Sequence, residues 1–428
     1  MQRVLSFQMA RGLGESSEFV TKRMCFSFLF SVGFLCLLCG FLLGRFATQR
    51  AMEFRAEKKR MELAGNGLES TEYLQQSLLQ QLERAPLDPD FEMNWVSPNF
   101  KDNDVRRANA VFRNLPLIRR VLEYESCVIA TVRGTREPDR YVVLSASGEG
   151  VGIALELAKI LNNIHREHGW KPRRSLIFCL FSEPSNACPE TLPGYTHHNI
   201  MAYIAMNLKG TGPFVISGSD VVQSAILENV KSIKNLYSYN EQSLPSVNIF
   251  YNVSAVDSSL DIPHASVSFI GNNAAFNKNI HEREVRKIVL AQILGQTVWR
   301  LSECLIMRWN PNYFNNTVSR ALESLNATEF GEIKEKIHET SVRLLTNVKT
   351  LNGRIDTVDI INTLDTRILN DLLIDLDRVL LCYDKKLHSR TNWPEFLRLS
   401  HEPFNIIFTY LKNIVKCYET AIQLLEER

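Results

Sequence analysis

The residues able to do chemistry are sparse and scattered. Histidines stand at His165, His168, His197, His198, His264, His281, His338, His388 and His401. Only His197 and His198 are adjacent, and neighbouring side chains on a strand or loop project apart, so they chelate one metal poorly. Beside Pro193 and Gly194 they read as a solvated loop. The Gly-rich turn Ser147-Gly148-Glu149-Gly150-Val151-Gly152 stands between a strand-like and a helix-like run, where backbone amides can cradle a phosphate, with Glu183 as a ribose-binding acid. Ile153 replaces the third glycine of that signature, which favours a tight strand-to-helix connection instead. The 9 cysteines are too few for a disulfide-dense scaffold. Cys25, Cys36 and Cys39 lie in or at an apolar run, as filler or as acylation sites. Cys127 and Cys179 fall in core-strand runs and read as buried thiols, and the pairing of the remainder is open. Three glycosylation sequons begin at Asn252, Asn315 and Asn326.

These residues need elements to position them. Cys127–Val132 and Tyr141–Ala146 are β-rich, and Gly150–His168 has apolar residues at helical spacing. Ser175–Phe181 is a continuous apolar run of strand length, suited to a central strand covered on both faces. Ala202–Met206, Phe214–Ile216 and Ser266–Ile270 are further strand candidates, and Val221–Ile233 is a helix candidate. Strand, helix, strand at this spacing predicts an α/β sheet over 95–280. Long helical runs follow at 282–305, 318–347, 357–384 and 395–426, predicting an all-α domain over 281–428.

Composition excludes some classes. Lys+Arg 49 against Asp+Glu 47 leaves a net charge of +2, which argues against nucleic-acid binding by a global basic field. Hydrophobic residues make up 45%, enough for a sizeable core. Met24 to Gly44 contains no charged residue, and as a helix spans about 30 Å, the thickness of a bilayer's hydrocarbon core. It is too long for the apolar region of a cleaved signal peptide and reads as a signal-anchor between a tail, 1–23, and a stalk, 45–94. Within the stalk, Leu74, Leu78 and Leu82 form either a self-associating stripe or part of a solvated linker. Arg45, Arg50, Arg55, Lys58, Lys59 and Arg60 outnumber the cations before the run, favouring a cytoplasmic C-terminus, whereas the sequons favour an extracellular or lumenal one.

Glu137-Pro-Asp-Arg-Tyr-Val-Val-Leu144, Gly169-Trp-Lys-Pro-Arg-Arg-Ser-Leu-Ile-Phe178 and Met201-Ala-Tyr-Ile204 occur in that order. With Ile262-Pro263 and Ala265–Phe269, they resemble segments of the transferrin receptor and glutamate carboxypeptidase II family. Leu369-Asn-Asp-Leu-Leu-Ile-Asp-Leu-Asp-Arg378 is similar to a stretch of that family's last, helical domain. The resemblance covers roughly 95–428. It implies a type II anchor, a zinc-aminopeptidase-like α/β domain, an apical insert that is here missing or vestigial, and helical homodimerisation.

The resemblance also locates a co-catalytic two-zinc site, which needs His, Asp and Glu ligands and a separate Glu as general base. Here the first ligand position is Ser147, and the segment carrying the bridging Asp is deleted. The base and ligand Glu pair falls on Pro184 and Ser185, the strand Asp on Asn207, and the loop 271–276 holds no His. The expectation is a non-catalytic pseudopeptidase without a metal cofactor, a receptor-like or scaffolding homodimer in the plasma membrane or secretory pathway. The alternative is a membrane-bound zinc metallopeptidase with relocated ligands. The family's Arg-Gly-Asp ligand-binding signature is reordered here to Gly353-Arg354-Ile355-Asp356, read as an inter-helix turn capped by Gly353.

Overall fold

The computed structural model describes residues 27, 29–41, 44–45, 71–84, 102–181, 191–207, 214–236, 247–249, 262–269, 280–325, 327–359, 362–382 and 404–427. The chain divides into two units, Met1–Met61 and Glu62–Arg428. In the first, residues 29–41 are helical. Their apolar side chains are exposed all round, with Phe30 at 74% and Leu37 at 74%. The rest of the expected 24–44 span lies largely outside the described residues, and among the described residues no helix is long and apolar enough to cross a membrane.

The second unit is built on an eight-stranded mixed sheet. Its strands are β1 Arg120–Glu123, β2 Cys127–Val132, β3 Glu137–Ser147, β4 Arg174–Phe181, β5 Ile200–Asn207, β6 Phe214–Gly218, β7 Val247–Ile249 and β8 His264–Phe269, in the order β1-β2-β4-β3-β5-β8-β6-β7. The four central strands β4, β3, β5 and β8 are parallel, so their C-terminal ends share one edge. There Ser147 pairs with Phe181, Ala146 with Met206, and Asn207 with Ser268. All of β4 except its last residue is buried, as its unbroken apolar run requires.

Two helices precede the sheet, α1 Thr71–Arg84 and α2 Asp102–Arg113. Within and after it come α3 Gly150–His168, α4 Asp220–Leu236, α5 Ile280–Glu303, α6 Asn312–Ser324, α7 Ala327–Thr357, α8 Thr363–Leu380 and α9 Phe404–Glu426. Helix α3 ends at Gly169, whose φ of 67° is the left-handed cap that suits glycine, its N–H bonded to the His165 carbonyl. Helix α5 packs against α1, α3, α4, β3 and β4, so it covers the sheet as well as opening the helical region. One core cluster runs from Leu78 through Phe178 and Leu294 to Tyr418.

Two expectations change. Leu74, Leu78 and Leu82 are neither stripe nor linker: they are buried, and α1 packs on α3 and α5. A Cβ on Gly295 of α5 would lie 2.7 Å from Leu82 Cδ1, so the glycine makes the room for this docking. Gly353 is no turn either. It lies inside α7, where burial of Leu351 and Ile355 outweighs the roughly 1 kcal/mol helix cost of a glycine.

Candidate functional site

The shared C-terminal edge of the parallel strands is where an open α/β sheet puts its chemistry. β3 delivers Ser147 there, buried at 4% exposure, and Gly148 turns the chain at a φ of 53° straight into α3. The expected tight connection is what forms. Glu149 sits at the N-cap of α3 without a side-chain capping bond. Met206, next to last in β5, is buried and reaches across the start of α3: a Cβ on Gly150 would meet its Cγ at 3.2 Å and its Sδ and Cε at 3.4 Å.

This edge therefore presents a hydroxyl, a glycine turn and a thioether. Zinc of a co-catalytic pair takes imidazole and carboxylate, with one carboxylate bridging, so these groups do not fit it. Among the described residues no three His, Cys, Asp or Glu side chains are grouped to hold a metal ion. Asn207 ends β5 beside this edge; Pro184, Ser185, Glu183 and the loop 271–276 lie outside the described residues. The sequence reading missed Met206. Its only signal was its place in the strand, since its contact is with a helix more than fifty residues earlier.

Among the described residues, His197, His198 and His264 do not join this edge, while Cys127, in register with Phe181, reaches it. His197 closes a one-turn helix, Gly194–His197, and the His198 carbonyl accepts from Arg378 Nη2 at 2.8 Å. That loop docks α8 rather than chelating. His264 is buried, its Nδ1 2.9 Å from the Ile262 carbonyl. Cys127 is a buried free thiol whose pKa burial pushes up, as expected. Cys179 is not a thiol: it is disulfide-bonded, and its partner lies outside the described residues. Of the sequon residues, Asn315 is exposed on α6, while Asn252 and Asn326 lie outside the described residues.

The opposite, N-terminal edge holds a dense buried network. Glu137 takes Arg173 Nε at 2.7 Å on one oxygen and Arg174 Nε at 3.0 Å on the other. Arg174 is fully buried and also donates to the Leu301 and Leu305 carbonyls at 2.8 and 3.1 Å. Burial alone would raise the Glu137 carboxyl, but the two guanidiniums outweigh it and hold it below the usual range. Glu303 at the end of α5 accepts from Trp170 Nε1 at 3.0 Å and from the Arg173 amide at 3.2 Å. Burial nevertheless pushes Glu303 up to about 7. Trp170 stacks on Trp299 of α5 at 4.7 Å between ring centroids. Arg140 pairs with Asp371 of α8, and Asp139 with Arg367 at 2.5 Å.

Asp377 of α8 completes the attachment. One oxygen accepts from the Val221 amide at 2.9 Å, the other from Ser219 Oγ, so α8 caps the start of α4. The Glu137–Arg140 stretch thus contacts both the Trp170–Arg174 and the Leu369–Arg378 stretches, and Arg174 and Asn370 share the Leu305 carbonyl as acceptor. The charged residues of these stretches form a framework, and Glu137 lies roughly 30 Å along β3 from Ser147.

No protein-family model matches the chain. Transferrin receptor protein 1 of Gallus gallus is 31% identical over 133 residues, covering 27% of this chain and 17% of that protein. Aminopeptidase NAALADL1 of Mus musculus is 24% identical over 157 residues, covering 32% of this chain and 21% of that protein. The chain is a distant homologue of the transferrin receptor and NAALADL aminopeptidase family. Its matched part spans about a fifth of these relatives. Among solved structures, an aminopeptidase from Aneurinibacillus sp. strain AM-1 aligns over 43% of this chain and 50% of its own, at 15% identity and a TM-score of 0.33.

Proposed function

We propose that this chain is a non-catalytic, membrane-anchored pseudopeptidase of the transferrin receptor and NAALADL family, working as a receptor-like or scaffolding homodimer. The observation that carries the reading is Met206. Its side chain lies over Gly150 at the strand edge, in register with Ala146, so an apolar thioether covers the start of α3 at the edge where a metal site would need donors. The all-round apolar exposure of residues 29–41 supports the anchor, since such a helix needs lipid or protein around it. The Cys179 disulfide supports a body in an oxidising compartment, outside the cytosol.

Zinc analysis of the purified, detergent-solubilised chain tests the central claim. Metal well below one ion per chain, with no chelator-sensitive peptide hydrolysis, is expected. Stoichiometric zinc with hydrolysis lost on chelation would establish the metallopeptidase alternative. Topology is tested separately by glycosidase treatment: a mobility shift abolished by combined Asn252→Gln, Asn315→Gln and Asn326→Gln substitution is expected. Light scattering that returns a monomer mass would remove the homodimer.

A further inference from the structure

A cavity of about 540 Å³ opens between the last turn of α1, the turn following α2 and the second half of α3. It is far along α3 from the strand edge described above. Arg84 comes from α1, and Lys159 and Arg166 from α3, where a spacing of seven residues puts both on one helix face. Glu156 is the one carboxylate in the lining, and it is only 3% exposed, so it belongs to the floor. Arg84 and Arg166 are exposed and stand at the rim. The lining therefore carries three cations against one anion.

The floor is built as well as charged. Asn162 is 4% exposed, and its Oδ1 accepts the Leu117 amide at 3.0 Å. That bond fixes the orientation of the side-chain amide and leaves Nδ2 as a donor on the cavity wall. Leu115 and Ile160, both buried, supply apolar surface beside it. A solvated charged helix face would need neither a concave wall nor a buried, oriented amide. The volume lies in the range of small-molecule sites and well exceeds what one inorganic phosphate fills. Two guanidinium forks and an ammonium suit a doubly charged tetrahedral anion.

We infer that this cavity binds a small organic phosphomonoester, its phosphate held by Arg84, Arg166 and Lys159 and its organic part lying against Leu115, Ile160 and Asn162. The site is independent of whether the sheet edge is catalytic. A free metabolite and a lipid headgroup share this chemistry, so two probes separate them: glycerol 3-phosphate and the soluble lipid analogue dihexanoyl phosphatidic acid.

Isothermal titration of the full detergent-solubilised chain at physiological salt is the test. Saturable binding of one ligand per chain is expected, weakened at least about tenfold in the Arg84→Gln, Arg166→Gln double variant, with glycerol itself inert. Both arginines are exposed, so the variant should melt at the wild-type temperature, which separates lost binding from lost fold. Tighter binding of the lipid analogue assigns the headgroup source; equal binding assigns the free phosphate. No saturable binding of either probe, or equal affinity in the double variant, overturns the site.

Discussion

A guanidinium with no exposed surface is tolerated only where its N–H groups find acceptors, and Arg174 finds Glu137 and the carbonyls of Leu301 and Leu305. Arg174→Met should leave Glu137 buried with one partner fewer and two carbonyls short of a donor. Urea unfolding should record a loss on the order of 3–5 kcal/mol. Arg367→Ala, which breaks an ion pair about half exposed on both sides, should cost under about 1 kcal/mol. A second residue-scale prediction concerns pH. Burial pushes Asp377 up to about 6, against the hydrogen bonds from Ser219 and Val221. Burial and the Asp377 charge push Asp220 up to about 8. Both acids keep protons in the folded chain at pH values where the unfolded chain, with pKa near 3.8, has released them. The folded state then binds more protons, so unfolding free energy falls as pH rises from about 4 through 6 for Asp377 and on to 8 for Asp220. Glu303 adds the same sign between 4.5 and about 7. Asp377→Asn keeps an acceptor for the Val221 amide and removes both the first acid and its repulsion of Asp220. Its melting temperature should therefore change less between pH 4 and 8 than that of the wild type; an unchanged pH profile would contradict the assignment.

At the scale of elements, α1 shows how a correct pattern can carry a wrong partner. The four-residue spacing of Leu74, Leu78 and Leu82 announces an apolar helix face, but a face does not name what covers it. The cover is α5, whose Gly295 reads in sequence as a weak point in a helix and acts in the fold as the notch for Leu82. Leu78→Ala should therefore cost about 2–5 kcal/mol in equilibrium unfolding, whereas in a solvated linker it would cost nothing measurable. The central strands and α3 were legible because buried parallel strands and an amphipathic helix write their periods locally. The end of helix α7 beyond residue 347 was not, since its contacts come from residues 308 and 309: the Trp309 carbonyl accepts from Asn352 Nδ2 at 3.1 Å, and Arg308 pairs with Asp356 at 2.7 Å. The strand edge was half legible. Ser147 and the Gly148 turn followed from their place between strand and helix, while the Met206 contact with Gly150 depends on the sheet's register against α3.

Across the whole body, the question is whether sheet and helices unfold separately. The sequence pattern changes character near residue 280, which suggests two domains. Yet the groups joining the regions are those least able to stand alone. Separating α5 from the sheet would expose the Trp170–Trp299 stack and leave Arg174 without its two carbonyls. Separating α8 would strip Asp377 from the start of α4 and Asn370 from the Met307 amide and Leu305 carbonyl. Each uncovered buried polar group costs on the order of 1–3 kcal/mol, more where it is charged, so a half-folded state is penalised several times over. A single cooperative transition for 62–428 is thus expected, with tryptophan fluorescence and far-ultraviolet circular dichroism changing together and the calorimetric and van't Hoff enthalpies agreeing. Both probes carry the argument: Trp170 and Trp299 report the junction itself, while helix content reports α6 to α9 as well. If fluorescence changed first, α5 would be leaving the sheet while the helices held, and the framework at the N-terminal edge would be a hinge between two domains instead of their common core.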